Sequence, residues 1–165
     1  MSDAVQRYMI GDYLDISENS GTEEYELMGA GFNTLDESPG AKTDSKTYIN
    51  DKSSTTTIKG YETVFPFESD MIVSEKAVMS LYNVGRNHLT GADAQKNYVR
   101  VDLYNPTEKE NVYPARKFLV AVEVSDFKGN GGETVIVNGN LNSVGDFVEG
   151  YFDTSTKTFT TELPA

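Results

Sequence analysis

The C-terminal quarter of the chain, Phe127–Asp153, constrains the fold most strongly, because glycine turns interrupt its strand-like segments. Gly129–Gly132 is typical of a turn, since glycine adopts positive φ angles that other residues resist. The segment Thr134–Val137 that follows is rich in β-branched residues, as strands are. Asn138-Gly139 predicts a second turn, and Asp153–Lys157 predicts a polar break before a last strand. The sequence therefore predicts a β meander, whose edges must be paired or covered.

One helix is predicted, over about residues 74–86. Ser74 is a suitable N-cap, and Val78 and Leu81 begin an apolar stripe at helical spacing. Gly85 is typical of a helix end. We expect one amphipathic helix of about three turns.

The segments on both sides of this helix have the composition of strands. Alternating apolar residues in Val99–Leu103 and Phe118–Val124 predict strands, and Thr55–Phe67 is rich in β formers. Tyr8–Ile16 and Tyr25–Met28 predict an early strand pair. The fold class is expected to be mainly β: a sandwich or barrel of two packed antiparallel sheets with one helix. The 165 residues are expected to form a single domain with a flexible N-terminus.

A long polar loop is predicted over about residues 35–54. Loops longer than about 12–15 residues without structure usually bind, cover or assemble something. Tyr48 and Ile49 are apolar residues inside this loop, as in a segment that docks on a partner.

The charge of the chain is strongly negative. Twenty-six acidic residues against fourteen basic ones give a net charge of −12, and no lysine or arginine occurs between Tyr8 and Ala41. Such a surface repels phosphate backbones, which argues against sequence-specific or structural DNA binding. A solvated acidic face that favours solubility is the simpler interpretation. No signal peptide or run of about 20 apolar residues is present, so we expect no membrane partner.

The residues for chemistry are few. Cysteine is absent and His88 is the only histidine, so the sequence offers neither a thiolate nor a multi-histidine metal site. His88 follows the predicted helix, where capping or exposure is the simpler interpretation. We expect no enzyme and no cofactor.

One calcium-loop spacing must be weighed. Asp15, Ser17, Asn19, Glu23 and Glu26 stand at relative positions one, three, five, nine and twelve. The glycine is displaced by one position and no amphipathic helices flank the segment, which favours an acidic turn between strands. A monomeric β-sandwich adhesion or carbohydrate-binding module, calcium-dependent if this spacing binds the ion, is the alternative function that remains open.

The meander also carries a resemblance. Asn130-Gly-Gly-Glu, Leu141-Asn-Ser-Val-Gly-Asp-Phe-Val-Glu-Gly-Tyr-Phe-Asp and Thr154-Ser-Thr-Lys-Thr-Phe-Thr resemble the C-terminal end of tail tube (major tail) proteins from phages of Gram-positive bacteria. Gly60-Tyr-Glu-Thr and Val99-Arg-Val-Asp-Leu-Tyr agree with that family in layout. The resemblance covers about residues 29–161, and the chain is expected to lack the extra surface domain that some members append.

The resemblance implies a structural virion protein. The fold would be a β-sandwich-like barrel with one helix, shared with type VI secretion tube proteins. Six copies would form a ring, and stacked rings would form the tail tube that conducts DNA from capsid to host. Partners would be other copies, a tape measure protein in the lumen during assembly, and the baseplate or distal tail and tail terminator proteins. The protein would be made in the host cytoplasm and reside in the virion tail.

Two sets of residues follow as hypotheses from this resemblance. The long loop would reach a neighbouring subunit or ring through four candidate residues: Leu35, Pro39, Tyr48 and Ile49. An acidic lumen would let DNA slide, because it holds no phosphates. The acidic candidates for the lumen are Asp12, Asp15, Glu23, Glu24, Glu26, Asp102 and Glu149.

Overall fold

The computed structural model describes residues 4–17 and 21–164. Over these residues the chain is mainly β, with two antiparallel sheets and one α-helix, α1 (Lys76–Arg86). The predicted fold class is confirmed, although the strands do not close into a barrel. The strands are β1 (Ile10–Asp15), β2 (Tyr25–Leu27), β3 (Phe32–Leu35), β4 (Ala41–Lys46), β5 (Thr55–Tyr61), β6 (Val64–Asp70), β7 (Gln95–Asp102), β8 (Val112–Lys128), β9 (Ile136–Ser143), β10 (Val148–Asp153) and β11 (Thr158–Thr160).

Strand β8 organises the larger sheet. The main order is β2-β1-β7-β8-β9-β6-β3, and the β10–β11 pair also joins β8. β8 is 17 residues long, so it can pair with β7 along one edge and with β10 and then β9 along the other. The early strand pair β1–β2 is confirmed, with Tyr13 opposite Leu27.

The predicted meander is corrected at one turn. Asn138 and Gly139 lie inside β9, where Gly139 pairs with both Phe67 and Val124. A Cβ at Gly139 would lie 2.1 Å from the carbonyl oxygen of Glu123, so this glycine serves a close approach of strands. The chain instead leaves the sheet at residues 144–147, and β9 and β10 run in line along β8.

Two apolar clusters lie on opposite faces of the layer formed by β1, β7 and β8. Successive residues of a strand point to opposite faces, so Leu14 and Tyr98 enter the larger cluster while Tyr13 and Val99 enter the smaller one. The larger cluster also holds the buried face of α1, and the smaller one includes Phe152 of β10. Burying such side chains contributes about 1.5–3 kcal/mol each.

The helix packs its apolar face on β8. Leu81 is fully buried, as its predicted position in the stripe requires. The N-cap is Glu75 rather than the predicted Ser74, and it makes no side-chain cap bond. Gly85 lies within the helix rather than ending it. A Cβ there would come within 2.8 Å of Val124, so the glycine allows the close approach of α1 to β8. No helix in the described part of the chain is long and apolar enough to cross a membrane.

The predicted loop over residues 35–54 contains a strand. β4 pairs with β5 from Ala41 opposite Tyr61 to Lys46 opposite Thr55, with a shift of register between Lys42 and Thr43, and the two strands form the two-stranded sheet. Both strands are largely exposed, so neither has the apolar alternation by which a half-buried strand is recognised in sequence. The connection is therefore a projecting hairpin, β4–β5, with its tip at residues 47–54.

Candidate functional site

The β4–β5 hairpin is the most exposed regular element of the described chain. Its base is tight: Gly40 has φ +63°, and a Cβ there would lie 2.3 Å from the carbonyl oxygen of Glu62. Only glycine fits both the positive φ and this close approach. The Glu62 amide donates to the Gly40 carbonyl at 3.0 Å, and Ser38 bridges to Val64 at the start of β6. The hairpin therefore leaves the large sheet at a fixed point.

The tip presents apolar side chains to solvent. Tyr48 is 59 % exposed and Ile49 is fully exposed. Of the other two predicted assembly residues, Pro39 is exposed beside the base, but Leu35 is only 3 % exposed. Leu35 ends β3 and packs in the larger apolar cluster, so it lies outside the exposed hairpin.

The hairpin is basic although the chain is acidic. Residues 41–61 contain four lysines and two aspartates. Lys42 pairs with Glu62 at 2.9 Å and Lys59 with Asp44 at 3.9 Å. Within the described residues, Lys46 and Lys52 have no ion pair; Lys46 immediately precedes the tip and Lys52 lies within it. The end of the hairpin therefore combines apolar side chains with two lysines and one aspartate, Asp51, and is net positive.

A bidentate ion pair fixes the chain just before the hairpin. The Arg116 guanidinium of β8 donates to both carboxylate oxygens of Glu37, at 2.9 and 2.7 Å. Arg100 of β7 lies 3.7 Å from the same carboxylate. The hydrogen bonds from Arg116 hold the pKa of the Glu37 carboxyl below its ordinary value. Bidentate pairs of this kind fix geometry as well as contributing free energy.

The ion pair continues into a buried network. Arg100 is 5 % exposed and lies 3.8 Å from Asp12, which is 3 % exposed. Asp12 accepts hydrogen bonds from the Tyr98 hydroxyl and, at 2.6 Å, from Arg7. Burial and the adjacent Asp12 carboxylate raise the pKa of Tyr98 well above its ordinary value, so Tyr98 stays a donor. The network ties β1, β7 and β8 to the hairpin base.

Replacing Glu37 by glutamine is expected to lower the free energy of unfolding by about 1–2 kcal/mol at pH 7, because charge-assisted bonds to Arg116 weaken. A depressed carboxyl pKa contributes stability above its unfolded value of about 4.3, and the contribution is lost as pH falls through the folded pKa. Urea unfolding from pH 7 to pH 3 should therefore show the two proteins converging below about pH 4.3. Glu108→Gln, at an exposed turn, is the control; a constant difference down to pH 3 would refute the ion pair's role.

The acidic lumen candidates fall into different environments. Asp12 and Asp15 are buried and hydrogen-bonded, so neither can present a free carboxylate to a channel. Burial also raises the pKa of the half-buried Asp102. Two candidates are exposed and have no ion pair among the described residues: Glu24 and Glu149. The remaining two, Glu23 and Glu26, pair with Lys117 and Lys157 respectively.

Three of the candidate calcium ligands already bind hydrogen-bond donors or lysine side chains of the same chain. Asp15 accepts from the Ser17 and Glu24 amides and from Asn97, at 3.0–3.1 Å. Glu23 binds Lys117, and Glu26 lies 3.7 Å from Lys157. Asn19 lies outside the described residues, and the described part contains no group of three metal-ligating side chains. The described members of this set are therefore engaged by donors and cations of the chain itself.

The comparisons with known proteins bear on the fold. No protein-family model matches the chain, and no curated protein matches it. A chain from the tail of an empty gene transfer agent particle, refined helically with C6 symmetry, is similar with a TM-score of 0.59 and 12 % identity. A chain of the native gene transfer agent virion gives 0.60 and 10 %. Each comparison covers 95 % of this chain and 99 % of the other.

A third similar structure comes from a baseplate. A chain in the sixfold-symmetrised cryo-EM structure of the anti-feeding prophage baseplate has a TM-score of 0.50 and 9 % identity, covering 90 % of this chain and 97 % of that one. At these identities the likeness establishes a shared fold. The chain therefore has, almost end to end, the fold of chains found in tail and baseplate structures.

Proposed function

We propose that the chain is a structural tail tube protein of the major tail protein type found in phages of Gram-positive bacteria. Its copies form rings of six that stack into a tube, which conducts DNA from capsid to host. The likeness over nearly the whole of both chains to a chain in a C6-symmetric tail is the observation that carries this proposal. The resemblance of residues 141–160 to tail tube proteins supports it independently.

The projecting hairpin supplies a reason to associate. Exposed Tyr48 and Ile49 gain about 1.5–3 kcal/mol each if a neighbouring copy buries them fully. The outer edges of β2, β3 and β11 have no partner strand within the described residues. Free edges invite association, and a head-to-tail contact that closes on itself makes a ring.

Assembly is the property that separates this proposal from a monomeric binding module. Sedimentation velocity of the purified chain over a range of concentrations should show rings or longer assemblies growing at the expense of monomer. Negative-stain images of the same samples should show hollow tubes or sixfold rings. A chain that stays strictly monomeric at the highest concentrations, and binds calcium tightly, would support the adhesion or carbohydrate-binding alternative instead.

The negative charge suits passage of DNA. A bore without cationic side chains makes no phosphate contacts and releases no condensed counterions from the DNA. DNA therefore passes through it without salt-dependent binding. Glu24 and Glu149 are the lumen candidates that retain exposed carboxylates without an ion pair among the described residues. Tape measure protein would occupy the bore during assembly, while baseplate and terminator proteins would contact the tube ends. The protein would be synthesised in the host cytoplasm.

Lysine at the lumen candidates is expected to make the tube retain DNA. With Glu24→Lys and Glu149→Lys combined, a ring of six gains twelve lysines in the bore, and each phosphate contact steepens the salt dependence of binding. Assembled tubes mixed with linear duplex DNA should bind it at 50 mM salt and release it at higher salt. Wild-type tubes and tubes of Glu108→Lys, at an exposed turn, should bind none. Equal behaviour of the lumen and control variants would remove these two acids from the lumen.

A further inference from the structure

A concave surface lies beside the first residues of β7, at the end of the strand opposite the turn that follows it. It is an open groove of about 800 Å³ between the C-terminal half of α1, the turn before β7 and the β1–β2 pair. Asn83 and Asn87 supply amides along one wall, while Leu89 and Leu119 supply apolar surface. Amides together with apolar surface suit a peptide segment, since amides both donate and accept hydrogen bonds.

Ser80 borders the groove and has a buried hydroxyl. This residue of α1 lines the groove and is 5 % exposed, yet its hydroxyl has no hydrogen-bond partner among the described residues. A buried hydroxyl left unpaired costs about 1–3 kcal/mol. The oxygen itself is sealed from the groove, so the case for an occupant rests on the shape of the groove and its charges.

The charges of the groove complement the hairpin tip. Asp15, Glu23 and Asp93 line the groove against one cation, Lys96. Asp15 and Glu23 are bonded internally, whereas Asp93 has no ion pair within the described residues. The end of the hairpin brings two lysines without an ion pair among the described residues, Lys46 and Lys52, against one acid, Asp51, so it is net positive. It also exposes Tyr48 and Ile49. Tip-to-tip contact would instead bring like charges together.

We propose that the groove lined by Ser80, Asn87 and Asp93 receives the β4–β5 hairpin tip of a second copy of this chain. The inference rests on the proposed self-assembly and names its receiving surface. A convex element on one face and a concave one on another make a heterologous contact, which propagates rather than closing as a twofold dimer. The apolar tip residues fill the groove, and Lys46 or Lys52 faces Asp93.

Disulfide trapping tests this placement cleanly, because the natural chain contains no cysteine. One protein carries Ile49→Cys, and a second carries a groove cysteine, either Asn83→Cys or Asn87→Cys. A disulfide needs Cβ atoms about 3.5–4.5 Å apart, so random contact traps poorly. In the matched control, the Ile49→Cys protein is mixed with a protein that carries Asn105→Cys. Asn105 is an exposed residue in the turn at the other end of β7.

Under mild oxidation of co-assembled proteins, the tip–groove pair should give cross-linked dimers on the order of a hundredfold faster than the control pair, because docking raises the effective concentration to the millimolar range. Tubes that form without tip–groove cross-links above the control would overturn the groove assignment while leaving the proposed function standing. Proteins that remain monomeric under all conditions would overturn both.

Charge reversal gives an independent readout if a cysteine disturbs assembly. Asp93→Lys should raise the concentration needed for assembly several-fold, and adding Lys46→Glu and Lys52→Glu to the same chain should bring it back towards wild type. Restoration by the combination distinguishes a contact from a loss of folding. A combined variant that assembles worse than Asp93→Lys alone would contradict the contact.

Discussion

Replacing the hairpin tip, residues 47–54, by Asn-Gly is expected to abolish assembly while leaving the fold intact. Lys46 and Thr55 are paired at the end of the β4–β5 ladder, so a two-residue Asn-Gly turn closes the hairpin in the same register. The large sheet and α1 lose no contact with the tip, because Tyr48 and Ile49 are exposed. Circular dichroism and thermal unfolding should match the wild type, whereas sedimentation should show only monomer.

A single substitution separates the apolar contact from the length of the hairpin. Ile49→Asp places a charge where the neighbour must exclude water, and a central apolar anchor is worth at least about 2 kcal/mol, roughly thirtyfold in affinity. Ser53→Asp, an exposed position on the same tip, is the matched control and should change assembly little. Assembly of the truncated chain at wild-type concentrations would contradict the role of the tip.

Replacing Asp12 by alanine is expected to cost about 3–5 kcal/mol of the free energy of unfolding. The change leaves the buried Arg100 guanidinium with Glu37, at 3.7 Å, as its remaining acid, and it removes the acceptor of the Tyr98 hydroxyl. Breaking a buried pair from one side costs this much, because Glu37 alone compensates the Arg100 charge only in part and the Tyr98 hydroxyl loses its acceptor. Domains are stable by about 5–15 kcal/mol in total, so urea unfolding should shift clearly.

The double variant Asp12→Ala with Arg100→Met supplies the control. Removing both charges leaves no buried cation, so the double variant should be more stable than Asp12→Ala alone. A loss below about 1 kcal/mol for Asp12→Ala, or simple additivity of the two single changes, would show that the network does not hold these strands together.

The sequence correctly predicts the helix and strands that bury one face. Prediction from the sequence fails for strands that are exposed on both faces and for a glycine enclosed between neighbouring strands. The apolar stripe of α1 and the alternation in β7 and β8 are read correctly, because water is excluded from one side of each. β4 is exposed on both faces and was taken for loop. Asn138-Gly139 has the composition of a turn, but tertiary packing uses the missing Cβ of Gly139 to bring β9 against Glu123.

The candidate site was predictable only in its apolar tip. Tyr48 and Ile49 stand out in a polar segment, and the structure exposes both. The partners of acidic residues could not be read from the sequence, since Asp12 and Arg100 are far apart in the chain and meet only through the β1–β7 ladder. The Arg116–Glu37 pair was missed for the same reason, as no local spacing links β8 to the segment before the hairpin.

Electron microscopy of assemblies grown from the purified chain tests the central claim most directly. The measurement is the rotational symmetry of end-on views together with the density along the axis. We predict hollow tubes of stacked sixfold rings, with each hairpin reaching a neighbouring copy. Solid filaments, rings of another symmetry, or a chain that remains monomeric at every concentration would contradict the proposed function.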